Sequence, residues 1–159
     1  MESKQISIII SVLKESELNE TDHRLLDAAK EATKRSYAPY SKFHVGASLL
    51  LSDGTVVTGS NQENAAYPSG LCAERVAVFH ANSQYPLLKV EALCIAACGD
   101  DGMFTENPVP PCGACRQALL ETENRYGQDI RVILYGRKAI YCVSSVRDLL
   151  PRQFDDSIL

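Results

Sequence analysis

The chain has 159 residues, a formal net charge of −4 at pH 7 and no tryptophan, and 45% of its residues are hydrophobic. This length and composition are typical of one globular domain with a substantial core. Binding to a nucleic-acid backbone requires clustered Lys and Arg, and the sequence has no such cluster, so we exclude a nucleic-acid partner. The longest apolar run, 92–98, is far shorter than the ~18 residues of a membrane span, so we expect no membrane partner.

The six cysteines indicate the compartment. The first residues include charged side chains with no small-residue cleavage site after them, so we expect no secretory signal. Without one, the thiols are expected to stay reduced in the cytoplasm. Cys94, Cys98 and Cys142 lie in apolar, strand-like runs and are interpreted as small core residues. The other three cysteines are candidate metal ligands.

The N-terminal segment 5–13 is rich in β-branched residues and predicts a strand ahead of the main fold. Two interpretations stay open: an edge strand that contacts another subunit, and a partly ordered extension. We assign residues 1–19 to an N-terminal extension with a possible extra strand. Residues 20–159 form one domain, since no repeat or linker interrupts them.

The first half of that domain predicts a helix followed by a hairpin. The helix covers 22–35, with Thr21 as its cap and apolar residues spaced by three and four. Strands over 43–51 and 55–60 flank an Asp-Gly turn, a strong hairpin signal. A polar loop over 61–70 leads to the next helix.

The second predicted helix opens at Cys72 and runs to about Asn82. Ala73, Ala77 and Ala81 recur on it at every fourth position. Such a flat stripe lets another backbone approach closely, either within the subunit or across an interface.

The second half predicts three strands and a third helix. Residues 89–98 are nearly all apolar, as in a central strand covered on both faces. A helix is predicted over 112–126, and strands over 130–135 and 139–143. A parallel pair needs a crossover of a dozen or more residues, and only three separate the last two strands, so these form an antiparallel hairpin. The predicted fold is α/β, with a five-stranded mixed sheet and helices on both faces.

Three cysteines stand at the predicted starts of the second and third helices. Cys72 opens a Cys-Ala-Glu-Arg motif, and Cys112 and Cys115 form a Cys-x-x-Cys behind two prolines. Thiolates prefer zinc among the common metals, and helix N-termini favour the thiolate form. Three ligands leave one position for a water, which ionises near neutral pH when bound to zinc. Glu74 is then a candidate acid/base, and the pattern predicts a zinc hydrolase.

A structural zinc site is the competing interpretation, because such a site is closed by four ligands. The candidates for a fourth ligand are His80, Cys94 and Cys98. His80 lies two helical turns beyond Cys72, which directs it elsewhere along the helix axis. Zinc content measured together with a catalytic rate separates the two interpretations.

The two cysteine motifs, together with residues 37–43, 45–47 and 61–67, resemble the zinc-dependent cytidine deaminases of the short-chain, homotetrameric type. The resemblance covers 21–154, and five matching segments in order are highly specific. It implies a three-layer cytidine-deaminase-like fold and Zn²⁺ as cofactor. The implied reaction is hydrolysis of cytidine and 2′-deoxycytidine to uridine and 2′-deoxyuridine plus ammonia, in pyrimidine salvage, with zinc-bound hydroxide and a Glu proton shuttle.

The resemblance also implies roles for single residues. It assigns the zinc to Cys72, Cys112 and Cys115, proton transfer to Glu74, and hydrogen bonds to a ligand sulfur to Arg75. On the same basis the substrate-binding residues are Phe43, Asn61, Glu63, Ala73 and Phe154. The substrate is a small nucleoside, and the segments contain no Lys/Arg cluster to bind a 5′-phosphate.

Shared sites are a further implication, since this type is homotetrameric and neighbouring subunits help build each site. Phe154 in the short tail is expected to stack on the pyrimidine of a neighbour. His44 stands where the family usually has Pro, a departure to which we assign no chemistry. The other enzyme interpretation is a deaminase of modified nucleosides, of the blasticidin type. Asn61 and Glu63 argue against it, because they resemble the ribose-reading segment of cytidine deaminases.

Overall fold

A computed structural model describes residues 1–158 of the chain. Within that range the helices are α1 (Glu20–Thr33), α2 (Ala73–Gln84) and α3 (Gly113–Tyr126), and the strands are β1 (Ser11–Leu13), β2 (Phe43–Leu51), β3 (Val56–Ser60), β4 (Val90–Gly99), β5 (Arg131–Tyr135) and β6 (Ile140–Val143). None of these helices is long and apolar enough to cross a membrane.

The strands form one open sheet in the order β1-β6-β5-β4-β2-β3. β4 and β5 run parallel, and every other neighbouring pair is antiparallel. The predicted hairpin of the last two strands is therefore confirmed. The predicted count of five strands is wrong, because residues 11–13 pair with β6 and add a sixth strand at the edge. The predicted strand over 5–13 forms only at residues 11–13. β6 ends at Val143, one residue beyond Cys142, which pairs with Ser11, so it is too short to pair with the rest of the segment.

Helices cover both faces of the sheet, and β4 shows how the sequence specifies this. Ala92, Cys94 and Ala96 pack in the core cluster that contains the apolar face of α1. Leu93 and Ile95, the alternate residues, pack in the cluster that contains α2 and α3. Because successive side chains of a strand point to opposite faces, a strand buried on both faces reads as a continuous apolar run.

α1 starts earlier than the sequence predicted. Its N-cap is Asn19 rather than Thr21, and the Asn19 side chain accepts a hydrogen bond of 2.9 Å from the backbone N–H of Asp22. Asn and Thr both cap well, so the sequence offers two starts. The earlier start leaves the Asp22 carboxylate on the first turn, where Arg131 of β5 donates two hydrogen bonds to it.

The alanine stripe of α2 faces the sheet of its own subunit. Ala73, Ala77 and Ala81 are buried in the main core. Gly59 of β3 makes this approach possible, because a Cβ there would lie 2.4 Å from the Ala73 carbonyl oxygen and 2.5 Å from the Ala77 nitrogen. Of the two interpretations left open by the sequence, packing within the subunit is the correct one.

We expect Gly59→Ala to destabilise the protein strongly, because the added methyl group would clash with the backbone of α2. A helix backbone cannot move aside as the end of a flexible side chain can. The cost should reach or exceed about 3 kcal/mol, the upper end for overpacking. For a chain of this size that lowers the melting temperature by roughly 6–12 °C. Differential scanning calorimetry measures the shift.

Gly113→Ala is the matched control, since a Cβ at Gly113 meets no atom within 4 Å. Equal melting temperatures for the two variants would contradict the close approach of α2 to β3.

Candidate metal centre and active site

The N-termini of α2 and α3 bring three sulfur atoms together. Cys72 and Cys112 are the N-cap residues of the two helices, and Cys115 lies in the first turn of α3. The Cys112 sulfur lies 3.7 Å from that of Cys72 and 3.5 Å from that of Cys115, and all three lie within 4.8 Å of one another. Two sulfurs at 2.3 Å from a tetrahedral zinc ion are about 3.8 Å apart, so the cluster fits zinc.

This cluster is open on one side. It is the only group of at least three close potential ligands among residues 1–158, and it includes no histidine, carboxylate or fourth sulfur. The candidates for a fourth ligand lie elsewhere: His80 is exposed on α2, and Cys94 and Cys98 are buried in β4. A structural site uses four protein ligands, whereas a catalytic site uses three and keeps one position for water or substrate. The arrangement is that of a catalytic site.

The electrostatics of the cluster also favour a cation. Hydrogen bonding with Cys115, and further with Arg75 and Cys112, lowers the pKa of Cys72 to about 5. The same contact with Cys72, together with burial, raises the pKa of Cys115. The Cys72 thiolate is thus stabilised by the hydrogen-bonding protons of the groups around it. A divalent cation among the three sulfurs would replace those protons, since metal binding to cysteines releases them.

Arg75 lies against the cluster. Its Nη2 donates a hydrogen bond of 3.8 Å to the Cys72 sulfur, and this contact raises the pKa of the Arg75 guanidinium. The side chain comes from the first turn of α2, three residues after Cys72 and so on the same side of the turn. A fixed positive charge is therefore in contact with one of the candidate ligands.

Glu74 is buried in the first turn of α2, with only 4% of its surface exposed. Burial is the main cause that raises its pKa to about 7, and the charge of Cys72 adds to the effect. A carboxyl group with a pKa near neutral pH can both accept and release a proton at little cost. This side chain has the properties of an acid/base.

A cleft of about 500 Å³ opens beside Cys72. Cys72 and Arg75 line it at the α2 end, and the loop over 61–71 with Tyr40 and Ser41 lines the other side. Its volume is in the range of small-molecule sites. Asn61 and Glu63, both predicted to bind substrate, are among the lining residues.

Glu63 is held in place by the turn before β2. Its Oε2 accepts hydrogen bonds from the backbone N–H groups of Tyr40 at 2.9 Å and Ser41 at 3.2 Å. A hydrogen bond with the Ser41 side chain is the main cause that holds the pKa of Glu63 below its usual range, and the two backbone N–H groups add to the effect. The cleft therefore carries a negative charge at neutral pH on the side away from the sulfurs.

Asn61 is the centre of a hydrogen-bond network at the end of β3. Its Oδ1 accepts from the Ser36 hydroxyl at 2.6 Å and from the backbone N–H of Val45 at 2.8 Å. Its Nδ2 donates to the Phe43 carbonyl oxygen at 2.9 Å. The amide has two N–H donors, so one remains for another acceptor.

His44 and Asp100 also join this network, although neither was predicted to have a role in the site. His44 Nδ1 lies 3.1 Å from the Ser36 hydroxyl, and its Nε2 lies 2.7 Å from Asp100 Oδ1. His44, to which the sequence assigned no chemistry, therefore has a hydrogen-bonding partner on each ring nitrogen. A signal was present in the His-for-Pro departure, but Asp100 lies 56 positions away and only the pairing of β2 with β4 brings it close.

The remaining predicted substrate residues do not line the cleft of the single chain. Phe43 is the half-buried first residue of β2, and Ala73 is buried at the start of α2. Phe154 lies in the tail, 56% exposed, where its carbonyl oxygen accepts a hydrogen bond of 2.9 Å from Gln117. It borders a shallow groove formed by both ends of the chain.

A mixed sheet between helix layers, with an open three-cysteine site and a buried Glu beside it, characterises the zinc-dependent deaminases. Residues 19–126 match the sequence model of the cytidine and deoxycytidylate deaminase zinc-binding region. The chain is 41% identical over 130 residues to the cytidine deaminase of Halalkalibacterium halodurans, covering 82% of this chain and 91% of that protein. It is 42% identical over 131 residues to the Sporosarcina psychrophila cytidine deaminase, covering 82% and 89%.

Solved structures agree with these matches. The crystal structure of a cytidine deaminase from Burkholderia pseudomallei superposes with a TM-score of 0.70 at 39% identity, covering 83% of this chain and 98% of that one. The chain belongs to the cytidine and deoxycytidylate deaminase family. The predicted family, zinc cofactor and hydrolytic deaminase class are confirmed.

Replacement of Cys72, Cys112 or Cys115 by Ala should remove the bound zinc and lower the melting temperature, because metal binding and folding are coupled. Cys142→Ala is the matched control, since Cys142 is a free cysteine outside the cluster. The number of zinc ions per chain, measured by inductively coupled plasma mass spectrometry, should fall from one to near zero in the three ligand variants. It should stay at one in Cys142→Ala. Full zinc occupancy in Cys115→Ala would contradict the ligand set.

Proposed function

We propose that the chain hydrolyses cytidine and 2′-deoxycytidine to uridine and 2′-deoxyuridine with release of ammonia. The observation that carries this proposal is the buried carboxyl group of Glu74, with its pKa near neutral pH, beside three sulfurs in zinc geometry. Pyrimidine salvage and a cytoplasmic location belong to the same proposal, since the ligand thiols need a reducing compartment.

Cys72, Cys112 and Cys115 are the proposed zinc ligands. Bound zinc supplies a water that ionises near neutral pH. Glu74 takes the first proton from the attacking water and delivers it to N3 of the pyrimidine. The water oxygen bonds to C4, and Glu74 then passes the remaining proton to the departing amino group. The C4–N4 bond breaks, and the products are the uracil nucleoside and ammonia.

Arg75 is proposed to moderate the charge of the centre. Three thiolates and one Zn²⁺ leave a net charge of −1, which weakens the ion as an electron acceptor. A guanidinium that donates to the Cys72 sulfur withdraws electron density from that ligand. Hydrogen bonds from neighbouring groups to the residues that ligate a metal ion tune the electronic properties of that ion in this way.

The sugar is proposed to lie at the other end of the cleft. Asn61 retains one N–H donor and Glu63 is a carboxylate, so together they can donate to and accept from a ribose hydroxyl. The 3′-hydroxyl is the group we assign to them. A 5′-phosphate would meet the negative charge of Glu63. Among the lining residues that the structure describes, only Arg75 is cationic, and its guanidinium already contacts Cys72. This favours a nucleoside over a nucleotide, with Phe43 and the start of α2 at Ala73 flanking it.

A homotetramer with shared sites is part of the proposal. Phe154 is exposed and does not line the cleft of its own chain, which is what a residue that completes a neighbouring site requires. The deaminase chemistry is assigned to residues 20–159, of which residue 159 lies outside the described residues. Residues 1–19 are assigned to an extension.

Glu74→Gln should lower kcat for cytidine by at least ~10²- to 10⁴-fold, because a positioned proton carrier contributes about that much. Zinc content should stay at that of the wild type. The measurement is the ultraviolet change on loss of the amino group, run on cytidine, 2′-deoxycytidine, CMP, adenosine and guanine. The exposed Glu91 provides the control, since Glu91→Gln should leave kcat unchanged.

Two outcomes would count against this assignment. Wild-type kcat in Glu74→Gln would remove Glu74 from the reaction. Turnover of CMP as fast as cytidine would overturn the nucleoside assignment.

His44→Ala should raise KM for cytidine with little change in kcat, because it removes a contact that holds Ser36 and, through it, Asn61. Loss of one such hydrogen bond should lower kcat/KM roughly 2- to 10-fold. Steady-state kinetics with 3′-deoxycytidine provide the decisive comparison, since that substrate lacks the hydroxyl assigned to Asn61. The variant should match the wild type on it, and an equal loss on both substrates would show that His44 does not act through the contact of Asn61 with the 3′-hydroxyl. Asp100→Asn is expected to give the same pattern with a smaller effect.

A further inference from the structure

The edge strand β1 is shorter than its sequence predicts. Only Ser11–Leu13 are hydrogen-bonded in the sheet, to β6, and β1 is the last strand on that side. Residues 5–10 carry no secondary structure and take part in none of the backbone hydrogen bonds outside the ladders among residues 1–158. A segment with strong β propensity thus finds a partner strand for three of its nine residues.

Apart from Ile6, which borders the C-terminal tail, the segment 5–13 also lacks the devices that normally protect a sheet edge. Such edges are blunted by charges, prolines, bulges or a covering element. The sequence Gln-Ile-Ser-Ile-Ile-Ile-Ser-Val-Leu has no charge, proline or glycine. Its aliphatic side chains are exposed, with 52% of Ile6, 80% of Ile9, 47% of Ile10 and 62% of Val12 accessible to solvent. An uncovered strand of this kind is a template for pairing with another strand.

The order of the residues indicates which strand that is. The segment reads nearly the same in both directions from Ile9: Ile8 mirrors Ile10, Ser7 mirrors Ser11, and Ile6 mirrors Val12. In an antiparallel pair, opposite residues lie on the same face with their Cβ atoms about 4.5–5.5 Å apart. Pairing of the segment with itself therefore places the four isoleucines and Val12 opposite aliphatic residues and each serine opposite a serine, while Gln5 lies opposite Leu13.

We propose that residues 5–13 form an antiparallel strand pair with the same segment of a second copy of this chain, about a two-fold axis at Ile9. The contact is isologous, since one surface meets itself. It extends β1 to nine residues and joins two six-stranded sheets into one. Ile6, Ile8, Ile10 and Val12 of both copies form one continuous aliphatic face.

Charge sets the limits of the pairing. Lys4 and Lys14 flank the segment, and in this register each lies opposite the other in the second copy. Like charges directly opposite are destabilising, so the paired region ends between the two lysines. The interface lies outside the deaminase match, which begins at residue 19, and it contains none of the proposed site residues. The proposal is therefore independent of the catalytic assignment.

Single cysteines test the register in the full-length, zinc-loaded protein. Ile9→Cys places its thiol opposite itself across the axis, so mild air oxidation should convert most of the protein to a disulfide-linked dimer. Ile8→Cys is the matched control, because Ile8 lies opposite Ile10 and should not cross-link with itself. An equal mixture of Ile8→Cys and Ile10→Cys should cross-link again. Mass spectrometry of the linked N-terminal peptides identifies the bond.

Sedimentation velocity gives a second measurement. Ile9→Lys puts two lysines opposite each other at the axis and should break this contact, so the variant should form an assembly of lower mass than the wild type. Ile9→Val should form an assembly of the same mass as the wild type. Lys4→Glu should strengthen self-association by placing opposite charges at both ends.

The proposal is overturned if Ile9→Cys and Ile8→Cys cross-link equally, which would mean another register or random collision. It is also overturned if neither cross-links and Ile9→Lys sediments like the wild type, because the segment would then be covered by a different partner or by none.

Discussion

The structure depends on one geometric requirement: three sulfur atoms from two helices must lie within a single coordination sphere. Cys72 and Cys112 are both N-caps, so α2 and α3 have to begin side by side at the same edge of the sheet. Gly59 permits this by letting the backbone of α2 lie directly on β3. The parallel pairing of β4 and β5, with α3 as the crossover between them, places α3 next to α2 on the same face.

The same requirement fixes the chemistry around the sulfurs. Residues immediately after an N-cap lie in the first helical turn, so Glu74 and Arg75 are carried to the cluster by the helix that presents Cys72. They end in opposite environments. Burial raises the pKa of Glu74 to about 7, whereas the contact with the Cys72 sulfur raises the pKa of the Arg75 guanidinium, which carries a full positive charge. A four-residue motif thus provides a metal ligand, a group able to exchange protons and a fixed positive charge.

The opposite side of the cleft is organised by a single amide. Asn61 joins β2, β3 and the loop after α1 through its contacts with Phe43, Val45 and Ser36. It therefore has a structural role as well as its proposed role in binding the sugar. His44 and Asp100 extend the network to the surface, which makes the geometry at Asn61 sensitive to residues that never contact the cleft.

Local sequence patterns were sufficient for the Cys112–Cys115 pair and for most of the elements. The spacing of Cys112 and Cys115, the apolar run of β4 and the short link between β5 and β6 each specify structure within a few residues, because helical turns and hairpins are short-range. Only the tertiary structure decided the rest. It placed the alanine stripe of α2 against β3, Asp100 beside His44, and residues 11–13 on the edge of β6. These contacts join residues far apart in the chain, and no local pattern specifies which distant backbone or side chain will be the partner.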